Sequence, residues 1–296
     1  MKTKIMPSII ALILWCIPAL SAAAQETIGV VLSNLSNPYF IAVQNAIDAH
    51  SKRLGYETLV YDSNNELDSE LASIRALVEK KVTAIIYNPT DLTGSTGSYQ
   101  AIKIANQANI PIVVLDRRVE RGSVLSRVIS DNVEGGEMAG SFIIAKLGDR
   151  ANVVQLLGYR NLSTTRERNQ GFMNVVNNSS LNLMTSIEAD YSRSKAKKVM
   201  LELLKANPSI HAVFAHNDQM AMGAVEAIEA LHADVLVVGY DGTDVAKQAI
   251  KQGRLAATID QQAGLVGQRS VKVIDTWLSG GQVKTYIAVS TKIIGQ

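Results

Sequence analysis

Short runs of consecutive apolar, often β-branched residues alternate along this chain with longer segments whose apolar positions recur every three or four residues. Ile28 to Leu32 is the first run. Pro38 to Leu54 follows as a predicted helix, with Phe40, Val43, Ile47 and Leu54 on one face and Gly55 as its stop. Glu57 to Tyr61 predicts a strand, Leu67, Leu71, Ile74 and Val78 mark a helix, and Ala84 to Tyr87 and Ile112 to Leu115 predict two more strands. The alternation continues with strands expected at Asn152 to Leu157, Leu183 to Glu188, His211 to Ala215, Asp234 to Val238 and Ala256 to Ile259. Helices are expected at Thr165 to Asn177, Lys195 to Ala206, Met220 to Leu231 and Asp244 to Lys251. Near-continuous apolar strands alternating with helices predict parallel sheets covered on both faces. The strands are too many for one comfortable open sheet, so the pattern predicts an α/β protein of two doubly wound lobes. No linker rich in proline or glycine separates the halves, which implies that the chain crosses between lobes more than once.

The first residues follow a different logic. Lys2 and Lys4 precede an apolar stretch from Ile9 to Leu20, and Ala22-Ala23-Ala24 ends it. Basic, then apolar, then small residues predict a secretory signal peptide over residues 1–24, cleaved near Ala24. The apolar stretch is short of the ~20 residues a spanning helix needs. Cys16, the only cysteine, lies inside it behind Trp15, the wrong setting for a lipid anchor. The mature chain then has no thiol and no disulfide. Of 29 basic residues two leave with the leader, so 27 face 27 acidic ones, and net charge gives no reason to bind nucleic acid.

In doubly wound sheets ligands bind beyond the carboxyl ends of the strands. Those positions are unusually polar or aromatic here. Asn37-Pro38-Tyr39-Phe40 follows the first strand, Asn88-Pro89-Thr90-Asp91 the third and Asp116-Arg117 the fourth. In the second half come Arg166-Glu167-Arg168, Tyr191, Asn217-Asp218, Asp241-Gly242-Thr243 and Gln261. Each has a bland explanation: helix caps for Asn37, Asn217 and Thr243, a turn for Asp241-Gly242, a surface ion pair for Asp116 and Arg117. As a set they suit a polyol, because carboxylates accept from hydroxyls and guanidiniums donate through a planar fork. Aromatic faces stack on the C–H faces of a sugar ring. No nucleophile–base pair stands among them.

These segments, with Ser130-Asp131-Asn132, Gly171-Phe172, Gly239-Tyr240 and Ala256-Ala257-Thr258-Ile259, resemble the type I periplasmic sugar-binding proteins, ribose binders above all, from about Thr27 to the C-terminus. The resemblance implies that Asn37, Asp116, Arg117, Arg168, Asn217, Asp241 and Gln261 hydrogen-bond sugar hydroxyls, that Asn88 contributes to the cleft, and that Tyr39, Phe40 and Tyr191 sandwich the ring. It implies two similar lobes joined by three crossings, near Ser130, Gln261 and Ser290: residues 25–129 with 262–289, and 130–261 with 290–296. It implies a monomer that closes on a monosaccharide by bending at the crossings, with no cofactor, and delivers it to an ATP-driven (ABC) permease in the inner membrane from the periplasm. The family's ribose binder has phenylalanine at the positions of Tyr39 and Tyr191, so the expectation is the broader one of a ribose-like pentose or similar aldose.

Other readings fare less well. His50, His211, His216 and His232 show no metal-ligand spacing, and His216 reads as structural. Gly135-Gly136 and Gly140 lack the strand–turn context of a dinucleotide fingerprint. Met138, Met200, Met220 and Met222 fit helix faces packed in a core. A sugar-responsive repressor would need an N-terminal helix-turn-helix where the leader stands. Presentation of the loaded form to a chemoreceptor or sensor kinase is compatible with import and is not separated from it here.

Overall fold

The computed structural model describes residues 26–90 and 96–295. The leader, Cys16 and Asp91 lie outside these. The chain builds two six-stranded sheets. The first takes β1 (Thr27–Leu32), β2 (Glu57–Asp62), β3 (Ala84–Tyr87), β4 (Ile112–Leu115), β5 (Ser126–Ser130) and β11 (Tyr286–Val289), in the order β11-β5-β4-β3-β1-β2. The second takes β6 (Asn152–Leu157), β7 (Asn182–Glu188), β8 (Ala212–Ala215), β9 (Leu236–Asp241), β10 (Ala257–Asp260) and β12 (Lys292–Gly295), in the order β12-β10-β9-β8-β6-β7. Every pairing is parallel except β10 with β12. The helices are α1 (Pro38–Leu54), α2 (Leu67–Glu79), α3 (Thr96–Gln107), α4 (Asn132–Leu147), α5 (Ser163–Asn177), α6 (Arg193–Ala206), α7 (Asp218–Leu231), α8 (Asp244–Lys251) and α9 (Ala263–Leu278).

Both faces of each sheet are buried, and the period-two geometry of a strand divides its residues between them. Ile28, Val30 and Leu32 pack in one core with Phe40, Val43, Ile47 and Ile274, while Val31 joins Ile74, Leu77 and Ile102 on the opposite face. In the second sheet Val154, Leu156 and Val213 meet Met200, Met220 and Met222, while Val153 and Phe214 meet Ile143 and Phe172. The chain passes between sheets three times: from β5 into α4, from β10 into α9, and from β11 into β12. The carboxyl ends of both sheets' parallel strands therefore face a common cleft.

Candidate functional site

A cavity of about 690 Å³ lies in that cleft, a size suited to a small ligand. Ten of the expected residues line it: Asn37, Tyr39, Phe40, Asp116 and Arg117 from the first lobe, Arg168, Tyr191, Asn217 and Asp241 from the second, and Gln261 at a crossing. Asn88 does not. It lies beneath the wall, accepting from Ser33 N (3.2 Å) and donating to the Leu115 carbonyl (3.3 Å) and Asp116 Oδ2 (3.4 Å), so it fixes the Asp116 carboxylate from behind.

The first wall grows from local chemistry. Asn37 caps α1 by accepting from Tyr39 N (3.0 Å), with Pro38 opening the helix. This cap turns Tyr39 and Phe40 inward, their rings in an edge-on contact at 5.2 Å. Arg117 is not a solvated turn residue: its Nη1 donates to the carbonyls of Pro89 (2.5 Å) and Thr90 (3.0 Å), and its guanidinium lies 5.8 Å from the Phe40 ring. Its contact with Asp116 is loose, 3.9 Å from Nε to Oδ2.

The second wall is built around Arg168. Its guanidinium stacks 3.8 Å over the Tyr240 ring, donates from Nε to Asn132 Oδ1 (2.9 Å) and from Nη1 to the His216 carbonyl, and stands 3.8 Å from Asp241. Gly136 of α4 and Gly171 of α5 let this happen: a Cβ on Gly136 would overlap the Arg168 carbonyl oxygen, and one on Gly171 the Val133 carbonyl oxygen. Asn217 caps α7 by accepting from Met220 N (2.9 Å), which leaves its amide nitrogen for the cavity. Gln261 donates to Asp241 Oδ1 (2.8 Å). Asp218 holds the Asp241–Thr243 turn by accepting from Thr243 N, Thr243 Oγ1 (both 2.8 Å) and Thr258 Oγ1 (2.6 Å).

Five lining residues have positive φ: Asn65 (+58°), Asp116 (+64°), Asp190 (+54°), Tyr191 (+56°) and Asp241 (+119°). Such conformations are unfavourable for side-chain-bearing residues and gather at functional sites. The Tyr191 ring lies so close over Gly158 that a Cβ there would enter it. Its hydroxyl is held by Thr164 Oγ1 (3.0 Å) and Thr165 Oγ1 (2.8 Å).

The site's charges are buried. Burial raises the Asp116 pKa above its usual value, against Arg117 and Arg168, and raises that of Asp241 well above it, with Asp218 and Asp116 adding to the effect. Burial also opposes the charge on Arg168, but Tyr191, Tyr240, Asp241 and Asp116 outweigh it and keep the guanidinium ionised. Burial, then Arg168, lowers the His216 pKa far enough to keep it neutral, and its Nε2 sits 2.9 Å from the Gln155 amide. His216 is a support of the wall and not part of its lining.

What distinguishes the cavity is unspent hydrogen bonding. Tyr39 Oη, Arg117 Nε, Asn217 Nδ2, Asp241 Oδ2 and Gln261 Oε1 are buried and have no partner at hydrogen-bonding geometry in the protein. Buried polar atoms are normally paired, and leaving one unpaired costs about 1–3 kcal/mol. Donors and acceptors from both lobes, unpaired around one cavity, make a surface complementary to several hydroxyls. Sequence reasoning passed over Tyr159, Thr164, Asp190 and Ser192 to Ser194, which also line the cavity, and Tyr240, which bears Arg168. Tyr159 and Asp190 stand just beyond strand ends and could have been found by the rule that located the others. Tyr240 lies within a strand and gave no such signal.

The family model described as "Periplasmic binding protein domain" matches residues 28–282. The ribose import binding protein RbsB of Haemophilus influenzae is 41% identical over 276 residues, 93% of this chain and 94% of its own. RbsB of Bacillus subtilis is 39% identical over 280 residues, covering 94% and 90%. Among solved structures, an ABC transporter periplasmic solute-binding protein from Actinobacillus succinogenes with bound D-allose superposes with a TM-score of 0.86 at 26% identity, covering 91% of this chain and 97% of its own.

Proposed function

The chain belongs to the periplasmic binding protein family, and from that premise we propose that it captures one monosaccharide between its lobes and hands it to an ABC importer. It is a binding protein and not an enzyme. The observation that carries this reading is the set of five unpaired buried polar atoms from both sides of one cavity. Carboxylates of Asp116 and Asp241 accept from sugar hydroxyls; Arg117, Arg168 and Asn217 donate; Tyr39, Phe40 and Tyr191 cover the apolar faces of the ring. Asn88 acts through Asp116. The relatives' names point to ribose and D-allose, which fits an aldose of five or six carbons.

The lobes are residues 25–129 with 262–289, and 130–261 with 290–296. Ligand favours closure only through contacts it gains in the closed state. Periplasmic binding proteins close around their ligands by bending at a hinge. Residues 1–24 serve as a cleaved export signal, so the mature protein works in the periplasm as a monomer.

A thermal-shift panel of pentoses, hexoses and their deoxy forms tests this, since a ligand that binds only the folded state raises its melting temperature. One or a few aldoses are expected to raise it. A purified mature protein that responds to none of them would remove the reading.

A further inference from the structure

The two tyrosines of the sandwich differ in what their hydroxyls do. Tyr191 Oη is held by two threonines of its own lobe, Thr164 and Thr165, and offers little more to a ligand. Tyr39 is 2% exposed, and its Oη, with the Ser130 hydroxyl nearby, has no partner in good hydrogen-bonding geometry. Tyr39 and Asp241 both line the 690 Å³ cavity and a second one of about 370 Å³, so the two residues stand between the two spaces. Burial first, then the carboxylates of Asp116 and Asp241, hold this phenol protonated. The hydroxyl is thus a neutral donor within the field of a carboxylate from each lobe.

Several of the surrounding donors are already engaged. Arg168 gives Nε to Asn132 and Nη1 to the His216 carbonyl. Arg117 gives Nη1 to Pro89 and Thr90. Ser130, beside Tyr39, donates to the Gln261 carbonyl (3.2 Å). A sugar hydroxyl that donates to Asp116 or Asp241 keeps lone pairs of its own, because a carboxylate only accepts. Beside Arg117 Nε and Asn217 Nδ2, the phenol is a neutral donor placed to meet them.

We propose that Tyr39 Oη is a specificity-determining group, donating to the sugar hydroxyl held between Asp116 and Asp241, so that the site selects aldoses carrying that hydroxyl over the corresponding deoxy sugars. The inference rests on the reading of the cavity as a monosaccharide site. A site built to bond a hydroxyl rejects the analogue lacking it far more strongly than an apolar pocket rejects one methylene.

Calorimetric titration of wild type and Tyr39→Phe with D-ribose, D-allose and the single-deoxy forms of each tests it, together with thermal unfolding without sugar. Tyr39→Phe is expected to lose roughly three- to tenfold in affinity for the parent sugar. One deoxy form is expected to bind both proteins alike, and the sugar-free melting temperature to stay level or rise. Equal affinities of the two proteins for every sugar would overturn the proposal, as would tighter binding of the parent by Tyr39→Phe. A lower sugar-free melting temperature in the variant would overturn it too, since the phenol would then serve the fold through Ser130. A wild type that binds no sugar fails at the earlier step, and is told apart because the variant comparison never arises.

Discussion

Arg168 and Asp116 look alike in the sequence, each a charged residue near a strand end, and the structure separates them. Arg168 is a structural member of its wall, with hydrogen bonds to Asn132 and the His216 carbonyl. Removing one partner of a buried charged set leaves the others uncompensated, at roughly 3–5 kcal/mol. Arg168→Ala is therefore expected to lower stability by about that much as well as to abolish sugar binding, which denaturant unfolding will register. Asp116 has only long ties, to Asn88 at 3.4 Å and Arg117 at 3.9 Å, so Asp116→Ala should change the unfolding midpoint much less than Arg168→Ala while lowering affinity at least about tenfold by calorimetry. The same carboxyls set a pH dependence of two opposite signs. Burial raises the pKa of Asp116, that of Asp241 well above its ordinary value, and that of Asp218 to about 6. The folded, sugar-free protein then binds more protons than the unfolded chain between the ordinary and the raised values. These groups contribute stability below the ordinary carboxylate pKa and lose it as pH rises through the raised ones. In the proposed contacts the sugar is held by ionised Asp116 and Asp241, so the melting-temperature increment it produces should grow with pH over that window. Thermal unfolding from about pH 4 to about pH 8, with and without sugar, checks both slopes. An increment that does not change with pH would remove these carboxylates from the contact.

At the scale of elements, the pair α4 and α5 carries the second wall. Gly136 and Gly171 let backbone meet backbone between them. Alanine is intrinsically better than glycine in a helix by about 1 kcal/mol. Here the added methyl would meet carbonyl oxygens that cannot rotate away, and overpacking of this kind costs about 1–3 kcal/mol. Gly136→Ala should thus be destabilising on balance and should weaken sugar binding through displacement of Arg168, although it touches no ligand; melting curves and titration of the one variant decide it. Most elements were readable: α1, α8, β3, β4 and β6 match their expected spans, because capping residues and apolar periodicity act within a few positions. β5, β11 and β12 were not expected as strands. β11 and β12 are edge strands with exposed residues, and each pairs with a segment brought to it by tertiary folding, β11 with β5 more than a hundred residues earlier and β12 with β10 across the intervening α9 and β11. β9 runs on to Asp241, so that residue ends a strand where a turn was expected.

In the whole molecule, contacts across the cleft set how readily it closes. Arg118, just after β4, stacks 5.1 Å from the Tyr286 ring of its own lobe and pairs with Glu167 of α5 in the other. The second oxygen of Glu167 accepts from Asn132 (3.2 Å), the residue that also orients Arg168. A half-exposed ion pair is worth at most about 1 kcal/mol. Arg118→Ala should accordingly weaken sugar affinity no more than about fivefold, with a larger sugar-free radius of gyration by small-angle scattering. Unaltered dimensions would mean that the pair follows closure without favouring it.

By itself the sequence determined the two-lobed α/β architecture, the strand ends at which the site would assemble, and ten of the side chains that line it, since these follow from short-range periodicity, capping and the rule that doubly wound sheets bind at their carboxyl ends. Only the tertiary structure decided which polar atoms each side chain has left to offer. It moved Asn88 behind the wall, gave the Tyr191 hydroxyl to two threonines and left that of Tyr39 without a partner. The physical reason is range: a hydrogen bond forms within about 3 Å of space. The residues that meet at this cleft come from opposite halves of the chain, a distance across which local pattern carries no information.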